Sequence, residues 1–166
     1  MKFRSLIFSN NSILFIIFAL GFYYAKDFGI TWDEPYHRLR GLEILSFLAK
    51  KLSIINFPQF LDYNSLLNES HYFYGAFFDL TSAVIEKLFS IYDKKNIFIM
   101  RHRLNFCFYF FGFYCFYLFI SEIIKQKDIS LLLSMFYFFN PRLLAHGFFN
   151  GKDSIAQALV CCSVFF

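Results

Sequence analysis

Charge is scarce in this sequence. Only 17% of its 166 residues are Asp, Glu, Lys or Arg, against roughly 25% in ordinary soluble chains. Glycine is also sparse, at seven positions. No P-loop, glycine-rich dinucleotide fingerprint, GxSxG elbow or Cys/His zinc spacing is present. The four cysteines, Cys107, Cys115, Cys161 and Cys162, all lie inside apolar runs with no framework spacing. That excludes a disulfide-stapled secreted module and leaves packing as their expected role. What fills the chain instead is apolar: 58% of residues, with Phe alone at 28 positions. A soluble globule of this size could not hide that much apolar surface, and a disordered chain would need low hydrophobicity. The composition therefore points to an integral membrane protein. The net charge of +4 gives no reason to expect a nucleic-acid partner. Basic clusters here suit lipid headgroups or an anionic substrate.

The expected fold class is all-α, a polytopic membrane helical protein with two interfacial amphipathic helices in its first external loop. Membrane helices are expected at about 6–25, 104–124, 129–149 and 154–166, and the external loop at 26–103. The first run, Leu6 to Tyr24, fits a spanning helix of about 20 residues. The second, Leu104 to Ile124, carries one charge, Glu122, near its end. The unbroken part of the third, Ile129 to Phe139, reaches only about 17 Å at ~1.5 Å per residue, short of a ~30 Å hydrocarbon core. It must either continue through Asn140-Pro141-Arg142 or end within the membrane profile. Either way Arg142 and His146 approach apolar territory, where ionisable residues are functional candidates. The fourth run starts after Asp153 and is still apolar at Phe166, so the whole of 1–166 reads as the N-terminal part of a larger membrane domain.

Within the long segment after the first run, Leu42, Leu45, Leu48, Ala49 and Leu52 share one helical face, with Glu43, Ser46 and Lys50 turned away. Phe73, Phe77, Leu80, Val84 and Leu88 form a second apolar stripe, with Asp79, Ser82 and Glu86 opposite. Both patterns suit helices lying in the interface plane. Asn56 to Ser70, with Pro58, reads as their connecting loop. A competing topology lets Tyr72 to Tyr92 span. Asp79, Glu86 and Lys87 oppose it, at about 2.5–3.5 kcal/mol each at a helix centre, whereas the positive-inside rule favours it. The interfacial reading is preferred. It puts Thr31–Pro35 and Asn150–Asp153 on one face of the membrane.

Two polar segments carry the chemistry. Thr31-Trp32-Asp33-Glu34-Pro35 sits just outside the first helix, with adjacent carboxylates of which one can act as general base and the other can orient it. The same residues also fit a helix start, with Thr31 and Glu34 as a capping box and Pro35 at the first helical position. Trp32 reads as an interfacial anchor. The second segment runs from Asn140 to Asp153 and gathers Arg142, His146, Asn150, Lys152 and Asp153. Arg142 and Lys152 can hold a phosphate, and Asp153 can ligate a cation or cap the following helix. Arg101-His102-Arg103 is either a headgroup cluster or a phosphate clamp, and His37, Arg38 and Arg40 are similarly ambiguous.

The order of these features resembles the polytopic glycosyltransferases of the GT-C superfamily, in particular the protein O-mannosyltransferases and the aminoarabinose and Rgt-like lipopolysaccharide sugar transferases. The matching residues are Trp32-Asp33-Glu34-Pro35, Tyr74-Gly75 with the helix after it, Arg103-Leu104-Asn105, and Pro141-Arg142 through Lys152-Asp153. About four membrane segments are visible here, where the family typically has eight or more.

The resemblance implies transfer of a sugar, with inversion, from a polyprenyl-phosphate donor to a lipid, glycan or protein acceptor outside the cytoplasm. In that reaction Asp33 is the base and Glu34 orients it or the acceptor. Arg103, Arg142 and Lys152, with His146, contact the donor phosphate, and Asp153 lies near the phosphate or a divalent cation, the one cofactor this reading admits. The Phe- and Lys-rich, Gly-poor composition suggests an AT-rich genome and a bacterial inner membrane, with the site facing the periplasm or exterior. The alternatives are a non-catalytic membrane subunit or truncated pseudoenzyme, and a transporter module built around the broken third segment.

Overall fold

The computed structural model describes residues 10–52 and 75–165. Among them all regular structure is helical, with no strand. The elements are α1 (Asn10–Tyr24), a single 3₁₀ turn (Ala25–Asp27), α2 (Glu34–Lys51), α3 (Phe77–Leu88), α4 (Lys94–Ile124), α5 (Lys127–Phe138), α6 (Pro141–Phe149) and α7 (Gly151–Phe165). The expected loop 56–70, Phe73 and Tyr74 lie outside the described residues.

α4 organises the rest. Its 31 residues reach ~46 Å at about 1.5 Å per residue. It is the one described helix long and apolar enough to cross a membrane, with a mean hydropathy of 1.7 over its best window. It starts ten residues earlier than the expected 104, because Asp93 caps it through a bond from the Asn96 N–H. Residues 94–103, expected in the external loop, are therefore helical. The stop at Lys125, with φ of 57°, is a left-handed C-terminal turn.

The third expected membrane helix is two helices rather than one. α5 ends at Phe138, and Asn140 then opens α6 by accepting from the Arg142 and Leu143 N–H groups. Pro141 occupies the first helical turn, where its missing N–H costs nothing. At ~18 and ~13 Å respectively, neither piece alone matches a ~30 Å core. α3 has 12 residues and is also too short to span, which disfavours a crossing at 72–92.

An aromatic core surrounds the middle of α4. Phe106, Tyr109 and Phe113 are completely buried. Phe148 of α6 stacks on Phe106 at 5.2 Å, and Phe138 of α5 lies 4.8 Å from Phe113, ring centre to ring centre. α1 closes the core with Leu14 and Phe18. Gly21 permits this, because a Cβ there would meet the Phe106 ring at 2.0 Å. α7 runs parallel to α4. Gly112 lies against Ala158, where an added Cβ would approach the Ala158 Cα to 2.8 Å, and about one turn further on Cys115 meets Cys162. Such small-residue contacts let helix backbones approach closely. Outward, Phe15, Ile123, Leu132, Phe136 and Val160 are exposed, and apolar faces of this kind are suited to lipid.

α2 and α3 pack the other way round. The polar residues opposite the apolar stripes, Glu43 on α2 and Asp79, Ser82 and Glu86 on α3, are buried. The apolar stripe of α3 points outward, with Phe77 60% and Leu88 74% exposed. Gly41 brings the two backbones together, since a Cβ there would lie 2.2 Å from the Asp79 carbonyl oxygen.

Candidate functional site

A cleft opens where α2, α3, the N-terminal third of α4 and the α6–α7 junction meet. Asp33, Glu34, His37 and Arg40 line it from the α2 side. Gly75, Phe78 and Asp79 come from α3 and its approach, Arg101 from α4, and Phe149, Asn150, Gly151 and Lys152 from the junction. The two polar segments singled out in the sequence thus share one cavity.

The wall of the cleft is an ion network centred on Asp79, which is 2% exposed. Arg40 donates from Nε to Asp79 Oδ2 at 2.9 Å and from Nη2 to the same oxygen. Arg101 donates from Nη2 to Oδ1 at 3.1 Å and from Nη1 to Ser82 Oγ. His37 Nδ1 lies 3.2 Å from Oδ2. Burial alone would raise the Asp79 pKa, but His37, Arg101 and Arg40 outweigh it and hold the carboxyl below its ordinary range. Beside it, Arg38 grips Glu86 bidentately at 2.9 and 2.8 Å. That hydrogen bond raises the Arg38 pKa against the opposing effect of burial. Buried charges of this kind persist only when paired and hydrogen-bonded.

The Asp33–Glu34 pair splits into two roles. Glu34 is 4% exposed. It accepts the Thr31 N–H at 2.6 Å and lies 2.8 Å from His102 Nε2. The first contact is not the expected capping box, because Asp33 and not Thr31 is the N-cap; it closes the turn that leads into α2. The second ties the start of α2 to α4. Asp33 is the N-cap residue by position, yet its side chain makes no capping bond. Its carboxylate accepts from the Thr31 hydroxyl at 2.8 Å and sits 3.8 Å from His37 Nε2, with 36% of the side chain exposed. His37 therefore stands between Asp33 and the buried Asp79.

At the junction, Asn150 caps α7 through its carbonyl oxygen and the Asp153 N–H, at 3.4 Å. The Asp153 carboxylate accepts from the Asn150 amide at 2.8 Å and lies 3.1 Å from His146 Nδ1. Gly151 packs under Phe78, and a Cβ would strike that ring at 2.2 Å.

The expected site residues therefore divide. Asp33, Glu34 and Lys152 line the cleft. His146 and Asp153 stand at its edge and fix Asn150, which lines it. Arg103 faces α1, its guanidinium 5.0 Å from the Phe22 ring. Arg142 is exposed at the start of α6. Neither lines the cleft, and Arg101, two residues before Arg103, does. Asp153 has one imidazole and one amide around it, and among the described residues no group of three His, Cys, Asp or Glu side chains converges to hold a metal. With one carboxylate there, the described side chains do not by themselves complete a cation's coordination shell. Compared with protein-family models, curated proteins and solved structures, the chain matches none of them.

Proposed function

We propose that this chain forms the catalytic end of an integral-membrane glycosyltransferase of GT-C type. It would move a sugar from a polyprenyl-phosphate donor to a lipid, glycan or protein acceptor outside the cytoplasm. One observation carries the reading. A half-exposed carboxylate that is not spent on capping, Asp33, lines the same cleft as Lys152 and the α7 N-terminus. A base and an anion-holding end within one cavity are what glycosyl transfer from a phosphate requires.

In this mechanism Asp33 accepts the proton of an acceptor hydroxyl. The acceptor oxygen attacks the anomeric carbon from the face opposite the phosphate. The bond from that carbon to the phosphate oxygen breaks with inversion, and the polyprenyl phosphate leaves as an anion. Lys152 and the first amides of α7 stabilise that anion. His37 and Thr31 set the orientation of Asp33, and Glu34 with His102 fixes the loop that presents it. No step passes through a metal.

The inverted amphipathicity of α3 supports a seat at the lipid–water boundary, with its apolar stripe toward the acyl chains. The outward apolar faces of α1, α5 and α7 support a multi-pass arrangement around α4, and a bacterial inner membrane with the cleft facing outward is the setting proposed.

The test is Asp33→Asn in the full-length protein, assayed for sugar transfer with a polyprenyl-phosphate donor. Transfer should vanish while expression and membrane insertion stay normal, and retained transfer would remove Asp33 as the base. Sidedness gives a second check. With the four native cysteines replaced, single cysteines at Gly29 and Asp153, both exposed, should react with an impermeant thiol reagent in intact cells, and one at Gln126 should not.

A further inference from the structure

Two of the four cysteines have more than a packing role available to them. Cys115 on α4 and Cys162 on α7 bring their sulfurs to 2.8 Å. That is well inside ordinary non-bonded contact between sulfur atoms, and close to the ~2.05 Å of a disulfide. The approach follows from the helix pairing. Gly112 and Ala158, about one turn earlier on the same faces, hold the two backbones in contact. Three residues on from Gly112 and four on from Ala158, the cysteines fall on the same seam. Their neighbours differ. Cys161 turns to the Tyr137 hydroxyl at 3.3 Å, and Cys107 is a partly buried free thiol elsewhere on α4.

We propose that Cys115 and Cys162 are a dithiol–disulfide pair that cross-links α4 to α7. Forming it breaks two S–H bonds and makes one S–S bond. The two electrons and two protons pass to an apolar two-electron oxidant of the quinone class, which becomes the hydroquinone. Such a molecule reaches the seam from the lipid side, where Leu159 and Val160 of α7 are exposed. Cross-linking fixes α7, whose other end supplies Asn150, Gly151 and Lys152 to the cleft. The proposal stands on the helix seam and does not require the glycosyltransferase reading.

The test uses the full chain in membrane vesicles, oxidised with copper–phenanthroline in air as the probe, alkylated, and mapped by peptide mass spectrometry. The expected result is one joined pair of peptides, containing Cys115 and Cys162. The free thiol count falls from the four of the sequence by one pair, and dithiothreitol restores it. Cys161→Ser should leave this cross-link intact and Cys162→Ser should abolish it. Persistence of all four thiols, a link through Cys107 or Cys161, or a link only between two chains would overturn the proposal.

Discussion

Adjoining faces of α4 build two unlike interiors. Towards its N-terminus the inward positions are Arg101, His102 and Asn105, and towards its middle they are Phe106, Tyr109 and Phe113, all 3% exposed or less. Arg101 and His102 meet the polar faces of α3 and α2, and Asn105 donates to the His146 carbonyl of α6. The second set meets rings from α1, α5 and α6. The aromatic layer resembles any close-packed core, held by ring-to-ring packing in which no member depends on a charged partner. The charges of the polar layer are compensated only by one another, so it depends on every partner being present. One helix can thus carry a rigid ring cluster and a charge lattice on adjoining faces, and the two should fail differently.

The largest difference should come from the centre of the charge lattice. Asp79→Ala leaves Arg40 and Arg101 facing each other without their shared carboxylate, and should cost about 3–5 kcal/mol, the loss typical of breaking a buried pair. Reversible unfolding of the purified protein in mixed micelles would measure it, and a loss under 1 kcal/mol would contradict the lattice. The pH dependence has a defined sign. The folded pKa of Asp79 is lowered, so its contribution is fully present above the unfolded carboxylate value of about 3.9. It erodes below that value and is gone once the pH falls under the folded one. Stability between pH 7 and 5 should therefore not change on account of Asp79.

Next should come the ring layer. Phe113→Ala should cost about 3 kcal/mol, the low end of the usual loss for deleting a buried Phe ring, because the empty space adds to the lost burial of the ring itself. The same unfolding assay applies, and the loss should be independent of salt and pH, unlike that of Asp79→Ala. Gly41→Ala should follow at about 1.5 kcal/mol, within the usual range for overpacking. Its Cβ strikes the Asp79 backbone, so this change should also disturb the charge lattice and make its loss salt-sensitive. The smallest effect on stability should be that of Asp33→Asn, within about 0.5 kcal/mol for a partly exposed group. A change without stability cost that still removes sugar transfer would separate chemistry from architecture.

Much of this was legible in the sequence, and the failures have physical causes. The helical class followed from composition and apolar runs, and the flanking helices led to the expectation that Thr31–Pro35 and Asn150–Asp153 share one face. The start of α4 was missed because Lys94, Lys95 and Arg101 interrupt the hydropathy signal, although Asp93 is a serviceable cap. That error hid the choice between Arg101 and Arg103. Carrying the register of Phe106, Tyr109 and Phe113 back through a continuous helix puts His102 inward, but Arg101 falls more than about 100° from their mean direction, and it is buried because α3 covers that second face of α4. The break at Asn140-Pro141 was visible as two options, and Asn140's capping bonds decided between them. The polar faces of α2 and α3 were legible as stripes. Their direction was not, because an amphipathic pattern does not say which side faces the protein.

The unbroken length of α4 makes it a depth gauge. One rod carries both the ring cluster and the charged wall of the cleft, so the distance of the cleft from the rings along the helix axis is fixed by counting residues from Phe106 to Arg101. A single residue inserted between them would turn the charged end by about 100° and raise it by ~1.5 Å. Arg101 would swing away from Asp79 while the rings stayed in place. Register along this helix, more than any single side chain, sets where the cleft stands.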